Sequence, residues 1–242
     1  VCMNYHDYNH DIPIEKTTPQ PIEPSFVEKG EDFNYMIAAM PDFPEEKYVN
    51  KTIAFNYKGE AAKHDIKVFP EIKEYFINYP VTVYRFQFNI PMSKVTYSSL
   101  IPRLQATLKK KPKEEGVEYI MFLVRNAFGY EADSLVYGRE KRFSPEETLA
   151  SEWSDCEDHA GLFFSLVREV YDLPMIVLSY PGHVNVAVKL EKPKGKAILH
   201  NGSIYTICEP TPQKKVFYLG EMGKKLSKKQ FEVVYEYIPT RS

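Results

Sequence analysis

Between Ala160 and Val170 the apolar residues recur every three or four positions, and after Asp172 the pattern switches to that of strands. Ala160, Phe163, Phe164, Val167 and Val170 describe the buried face of a helix. The stretches 175–180, 183–190, 197–199, 204–208, 216–219 and 231–237 read as strands instead. A helical block followed by a run of strands constrains the fold strongly. It predicts an α+β class with a mainly antiparallel sheet.

Upstream, residues 97–110 and 114–128 read as helices, the second with an apolar stripe of Val117, Ile120, Met121 and Val124. Earlier still, 53–57, 66–69 and 81–88 have strand-like alternation. The first thirty residues hold Pro13, Pro19, Pro21 and Pro24 with little apolar period, and read as an extended arm. The texture changes near Pro91. Residues 1–93 are therefore expected to form an arm and a β-rich segment, and residues 94–242 a second domain.

Composition excludes several partners. A net charge of −2 on 242 residues offers no electrostatic footprint for nucleic acid or an anionic membrane. No apolar run is long enough to span a bilayer. Aromatic residues make up 14%, which leans toward sheet-packed cores. The chain opens on Val1 and reads as a processed or trimmed form. Three cysteines are an odd set, so at least one thiol has no intrachain partner.

The chemistry centres on Cys156. Ser144, Pro145 and Glu147 mark one capped helix start, and Ser154 with Glu157 reads as another. With Ser154 as the cap, Cys156 falls in the first turn. Unpaired backbone N–H groups and the helix dipole there favour a thiolate, and the Cys156 N–H is placed to meet an oxyanion. A thiol nucleophile needs a proton acceptor, and histidine titrates in range. His183 follows Pro181-Gly182 and opens a strand whose alternation sets His183, Asn185 and Ala187 against Val184, Val186 and Val188. Glu209, ending the stretch 205–209, is the natural group to orient the imidazole. Plainer roles stand beside these: a small buried cysteine, a turn histidine, and Cys208 as a strand core residue. His159 reads as a supporting or packing residue, and no histidine has metal-site spacing.

Three of these segments, in order, resemble the transglutaminase-like superfamily. Residues 154–160 (SDCEDHA) look like its nucleophile motif, in which Asp-Cys-Glu-Asp is frequent in bacterial members. Residues 180–184 (YPGHV) look like its Gly-His strand start, and 205–211 (YTICEPT) like the segment that usually reads Asp-Pro-Thr, with Glu209 in place of Asp. The approach over 128–149 resembles that of uncharacterised Bacteroidetes proteins. The resemblance covers about residues 94–220. It implies a transglutaminase-like or papain-like core of helices on an antiparallel sheet, with a catalytic triad of Cys156, His183 and Glu209.

The activity implied is that of a cysteine peptidase or amidase acting by acyl-thioester chemistry on a protein or peptide amide. A transamidating enzyme uses the same residues, and a non-catalytic binding module is the alternative class. Trp153 and Tyr130 are candidates for a second oxyanion donor, with packing as their other role. The acids Asp155, Glu157 and Asp158 raise a neighbouring thiol's pKa and call for an offsetting cation. No cofactor is required. By the same resemblance, Asp155 and Glu157 are possible calcium ligands, or simply cap the helix. A periplasmic or extracellular location is expected on the same basis. Oligomeric state is left open.

Overall fold

The alternation before residue 70 folds as a hairpin. Strands β1 (Val49–Tyr57) and β2 (Glu60–Val68) pair antiparallel, from Val49↔Val68 to Tyr57↔Glu60. Ile53, Phe55 and Tyr57 on one strand, and Ile66 and Val68 on the other, are buried at every second position. Lys58 and Gly59 turn the chain with φ of 53° and 90°, the paired positive angles of a tight hairpin turn. These details come from a computed structural model describing residues 35–132 and 141–239, all within the compact unit Tyr35–Ser242. The arm expected over the first thirty residues lies outside them.

Six helices follow among the described residues: α1 (Ile72–Tyr75), α2 (Tyr84–Gln87), α3 (Lys94–Leu108), α4 (Lys113–Ala127), α5 (Pro145–Ala150) and α6 (Cys156–Tyr171). Two-residue strands β3 (Gly129–Tyr130) and β4 (Trp153–Ser154) pair in parallel just ahead of α6. The apolar stripes predicted for α4 and α6 are the buried ones: Val117, Ile120, Met121, Val124, Ala160, Phe163, Phe164 and Val167 have no exposed surface. The hairpin's inner face joins the same core.

The remaining strands are β5 (Met175–Tyr180), β6 (His183–Val188), β7 (Ala197–His200), β8 (Ser203–Cys208) and β9 (Glu232–Tyr237). They form one antiparallel sheet in the order β7-β8-β6-β5-β9. The fold is α+β, as the periodicity implies. Val184, Val186, Val188 and Cys208 face the helical core. Ile176, Leu178, Tyr180, Ala187, Tyr205 and Ile207 pack a second cluster on the opposite face. Flat, the sheet would hold β7 and β9 about 19 Å apart. Yet Glu236 of β9 receives the Asn201 amide at 2.9 Å and the Tyr205 hydroxyl at 3.2 Å, with His200 Nε2 at 3.3 Å. The sheet therefore curls until its edges meet around the second cluster. No helix among the described residues is long and apolar enough to cross a membrane.

Two expected strands are absent. Residues 81–88 contain the short helix α2, because a turn of helix brings Tyr84 onto Phe88 (5.4 Å between rings) and Phe88 onto Phe164 of α6 (5.5 Å). Val81 and Val83, the residues that suggested alternation, are exposed. Residues 216–219 are irregular. The Phe217 carbonyl accepts from Arg125 and the Leu219 N–H donates to Glu118 (3.3 Å), so two α4 side chains stand in for a ladder.

Candidate active site

Two capped helix starts build the entrance to α6. At α5, Ser144 accepts from the Glu147 N–H, Glu147 accepts from the Ser144 N–H (2.8 Å), and Pro145 takes the first helical position. At α6 the cap is Asp155, one residue later than the predicted Ser154. Asp155 accepts from the N–H groups of Glu157 (2.9 Å) and Asp158 (3.1 Å), and Asp158 reaches back to the Asp155 N–H at 3.3 Å. The reciprocal bond from Asp158 favours this register. The Ser154 hydroxyl lies 3.1 Å from His159 Nδ1, which is also 2.6 Å from the Asp155 carbonyl. His159 is completely buried, and burial lowers its pKa, which suits the packing role.

Cys156 is thus the first residue of α6, and its own N–H lies outside the capping box. Its side chain is 9% exposed and meets the start of β6, where the Val184 N–H faces the sulfur. The expected depression of the thiol pKa is reversed. Burial first, then the charges of Asp155, Glu157 and Glu209, push it up to about 12 against the Val184 N–H. The resting thiol is neutral.

His183 opens β6 after a Pro181-Gly182 turn in which Gly182 takes φ of 74°, the positive angle this turn needs at its second corner. Its Nε2 lies 2.8 Å from Glu209 Oε2, and the carboxylate side chain is only 1% exposed. A buried carboxylate accepts, so Nε2 carries the proton and Nδ1 is left as the basic nitrogen. The histidine and the acid are therefore in direct contact. The thiol reaches the strand of His183 one residue along, at Val184.

Glu157 faces Arg142, whose guanidinium pairs with its carboxylate and lies 4.2 Å from the Tyr84 ring centre. The Tyr84 hydroxyl donates to Glu157 at 2.7 Å. Arg142 is the cation that the acidic stretch required, and it also donates to the Thr82 carbonyl at 2.8 Å. Asp158 accepts from the Phe143 N–H at 2.7 Å, so residues 142–144 are strapped across the start of α6. With Asp155 capping and Glu157 in an ion pair, these two carboxylates do not fit a calcium site. No group of three or more potential metal ligands occurs among the described residues.

Trp153 and Tyr130 flank the short parallel bridge β3–β4. Both are about half exposed, and with Glu131 and Ala132 they line an open hollow of about 360 Å³. The indole lies on Gly129, where an added Cβ would stand 2.0 Å from Trp153 Cε3. A side chain at Gly129 would force the indole to shift.

No model of a known protein family matches this chain, and no curated protein does. The reading of the site rests on its own residues.

Two of those residues carry no sequence signal. Arg125 of α4 is buried and donates through Nε to the Glu209 carbonyl at 3.0 Å, and through Nη1 to the Phe217 carbonyl. Arg142 stands in an unremarkable basic stretch. Each acts across more than ten residues of sequence, which no local pattern encodes.

The raised thiol pKa sets a pH dependence. The neutral thiol is favoured in the fold, so its contribution to stability is complete below about pH 9 and is lost as pH climbs toward 12. By pH 10.5 the loss from this group is on the order of 2 kcal/mol. Thermal unfolding from pH 8 to 10.5 is expected to show a shallower alkaline decline for Cys156→Ala than for the wild type. Parallel declines would refute the assignment.

Proposed function

We propose that this chain is a transglutaminase-like cysteine hydrolase that cleaves a protein or peptide amide through an acyl-thioester. The observation that carries the reading is the His183 Nε2–Glu209 Oε2 contact of 2.8 Å, with His183 opening the strand that the Cys156 thiol meets. As Sγ bonds to the substrate carbonyl carbon, its proton passes to His183 Nδ1. The Cys156 N–H receives the oxyanion. His183 then gives the proton to the departing amine nitrogen as the C–N bond breaks. Water, deprotonated by His183, attacks the thioester and releases the acid and the thiol. An amine in place of water gives transamidation.

A neutral resting thiol suits this scheme, because the proton leaves only as sulfur attacks. The scheme requires the sulfur to leave the Val184 N–H and approach the imidazole. A periplasmic or extracellular setting belongs to the same proposal, on the resemblance of the three motifs. The scheme calls on no metal, so iodoacetamide labelling of Cys156 is expected to be the same with calcium and with a chelator.

The second reading is a non-catalytic binding module, in which Cys156 is simply a buried thiol at the start of α6. Alkylation separates the two. As a catalytic thiol, Cys156 is expected to react with iodoacetamide at pH 8 about a hundredfold faster than in His183→Ala, with fully buried Cys208 as the inert control. Equal rates in the two proteins would leave the binding module.

A further inference from the structure

The sheet face turned away from the helices packs the apolar side chains of Ile176, Leu178, Ala187 and Ile207, and Asn185 is set among them. This residue lies between His183 and Ala187 on β6 and points the same way as both. It is completely buried, and neither its amide oxygen nor its amide nitrogen has a hydrogen-bond partner among the described residues. Its partner on β5 is Leu178, and Ala187 and Ile207 complete the layer. Packing alone would favour leucine here, because an apolar side chain of similar size leaves nothing unsatisfied.

The surroundings of the amide are those of the active site. The β6–β8 ladder runs to Val186↔Cys208, and one step further along that register sets Asn185 opposite Glu209. Residues opposed in this way have Cβ atoms about 5 Å apart on one face. Tyr180 closes the other side. Burial pushes its hydroxyl up to about 12, with Asn185 near enough to pull the other way and Glu209 near enough to add to the rise. The Glu209 carboxylate accepts from His183 at 2.8 Å and from the Thr211 N–H at 3.3 Å. A carboxylate has about four acceptor positions, so room remains for a third donor.

We propose that Asn185 is a positioning residue for Glu209. Its Nδ2 donates to the carboxylate, holding Glu209 aimed at His183 as the imidazole takes the Cys156 proton. The inference rests on the reading of Cys156, His183 and Glu209 as a catalytic set. Closing the chain of bonds requires rotation of the amide about Cβ–Cγ, which is a soft torsion. Glutamate has one more torsion to restrain than aspartate, and the amide supplies that restraint.

The test places Asn185→Leu in the wild type and in His183→Ala, and follows Cys156 alkylation by iodoacetamide from pH 6 to 9 together with thermal unfolding. In the wild-type background the His183-dependent rate is expected to fall about tenfold and its pH midpoint to move, with a Tm no lower than before. In His183→Ala the same change is expected to do nothing. Asn185→Ala, which adds no volume, is expected to give the same background-dependent loss and is the variant to read if the leucine variant does not fold. A His183-dependent rate that ignores Asn185, or an equal loss in both backgrounds, would overturn this inference alone. A rate indifferent to His183 from the start would overturn the catalytic reading with it.

Discussion

Glu209→Gln is expected to lower the His183-dependent alkylation of Cys156 by about a hundredfold or more while leaving the protein folded. The glutamine side chain fills the same space. It turns one acceptor oxygen into a donor, however, and no longer stabilises an imidazolium. Breaking the acid–histidine link at constant geometry is costly in enzymes that use it, on the order of 10⁴ in kcat for a serine protease. Glu209→Asp is the sharper variant, because the motif that the chain resembles has aspartate there. Withdrawing the carboxylate by about 1.5 Å, one carbon–carbon bond, would stretch the 2.8 Å contact with His183 beyond hydrogen-bond range. A loss of about tenfold or more is therefore expected from aspartate as well. An aspartate variant as reactive as wild type would show that the acid is not placed by the length of its side chain. Circular dichroism on each variant separates a loss of chemistry from a loss of fold.

The largest expected effect on stability is that of Arg125→Met. The guanidinium is 5% exposed and donates to the carbonyls of Glu209 and Phe217 from the middle of the core. Methionine keeps much of the stem's volume and packing against Phe122. It cannot donate, so two carbonyls lose charge-assisted bonds in a place water does not reach. A destabilisation of about 3 kcal/mol follows, which for a chain of this size is a fall in Tm of about 6–12 °C. Because Arg125 anchors the residue that holds His183, alkylation of Cys156 is expected to slow in the surviving folded protein. A shift under about 2 °C would mean that the stretch 209–219 is held by other contacts.

Much of the architecture was legible in advance where the signal was local. The α4 and α6 stripes, the β6 alternation and the Ser144 cap all follow from spacing within one or two turns of chain. The misses have the opposite character. Residues 81–88 alternate, but Tyr84 and Phe88 gain more by packing together on Phe164 than by joining a sheet. The cap of α6 moved from Ser154 to Asp155 because Asp158 completes the reciprocal bond only in that register. The thiol pKa went the other way because helix-start position is a one-dimensional fact, whereas desolvation depends on everything packed around the sulfur.

The sequence by itself determined the order of helices and strands, the faces they bury, and three short segments whose order singles out Cys156, His183 and Glu209. Tertiary structure alone decided how those residues stand. His183 meets Glu209 because β6 and β8 are neighbours in the sheet, although 26 residues separate them. Arg142 neutralises Glu157 because residues 142–144 cross the start of α6. Arg125 and Asn185 join the site from α4 and from the middle of a strand. Hydrogen bonds and charges act over a few ångströms of space, and only the folded chain says which distant residues share them.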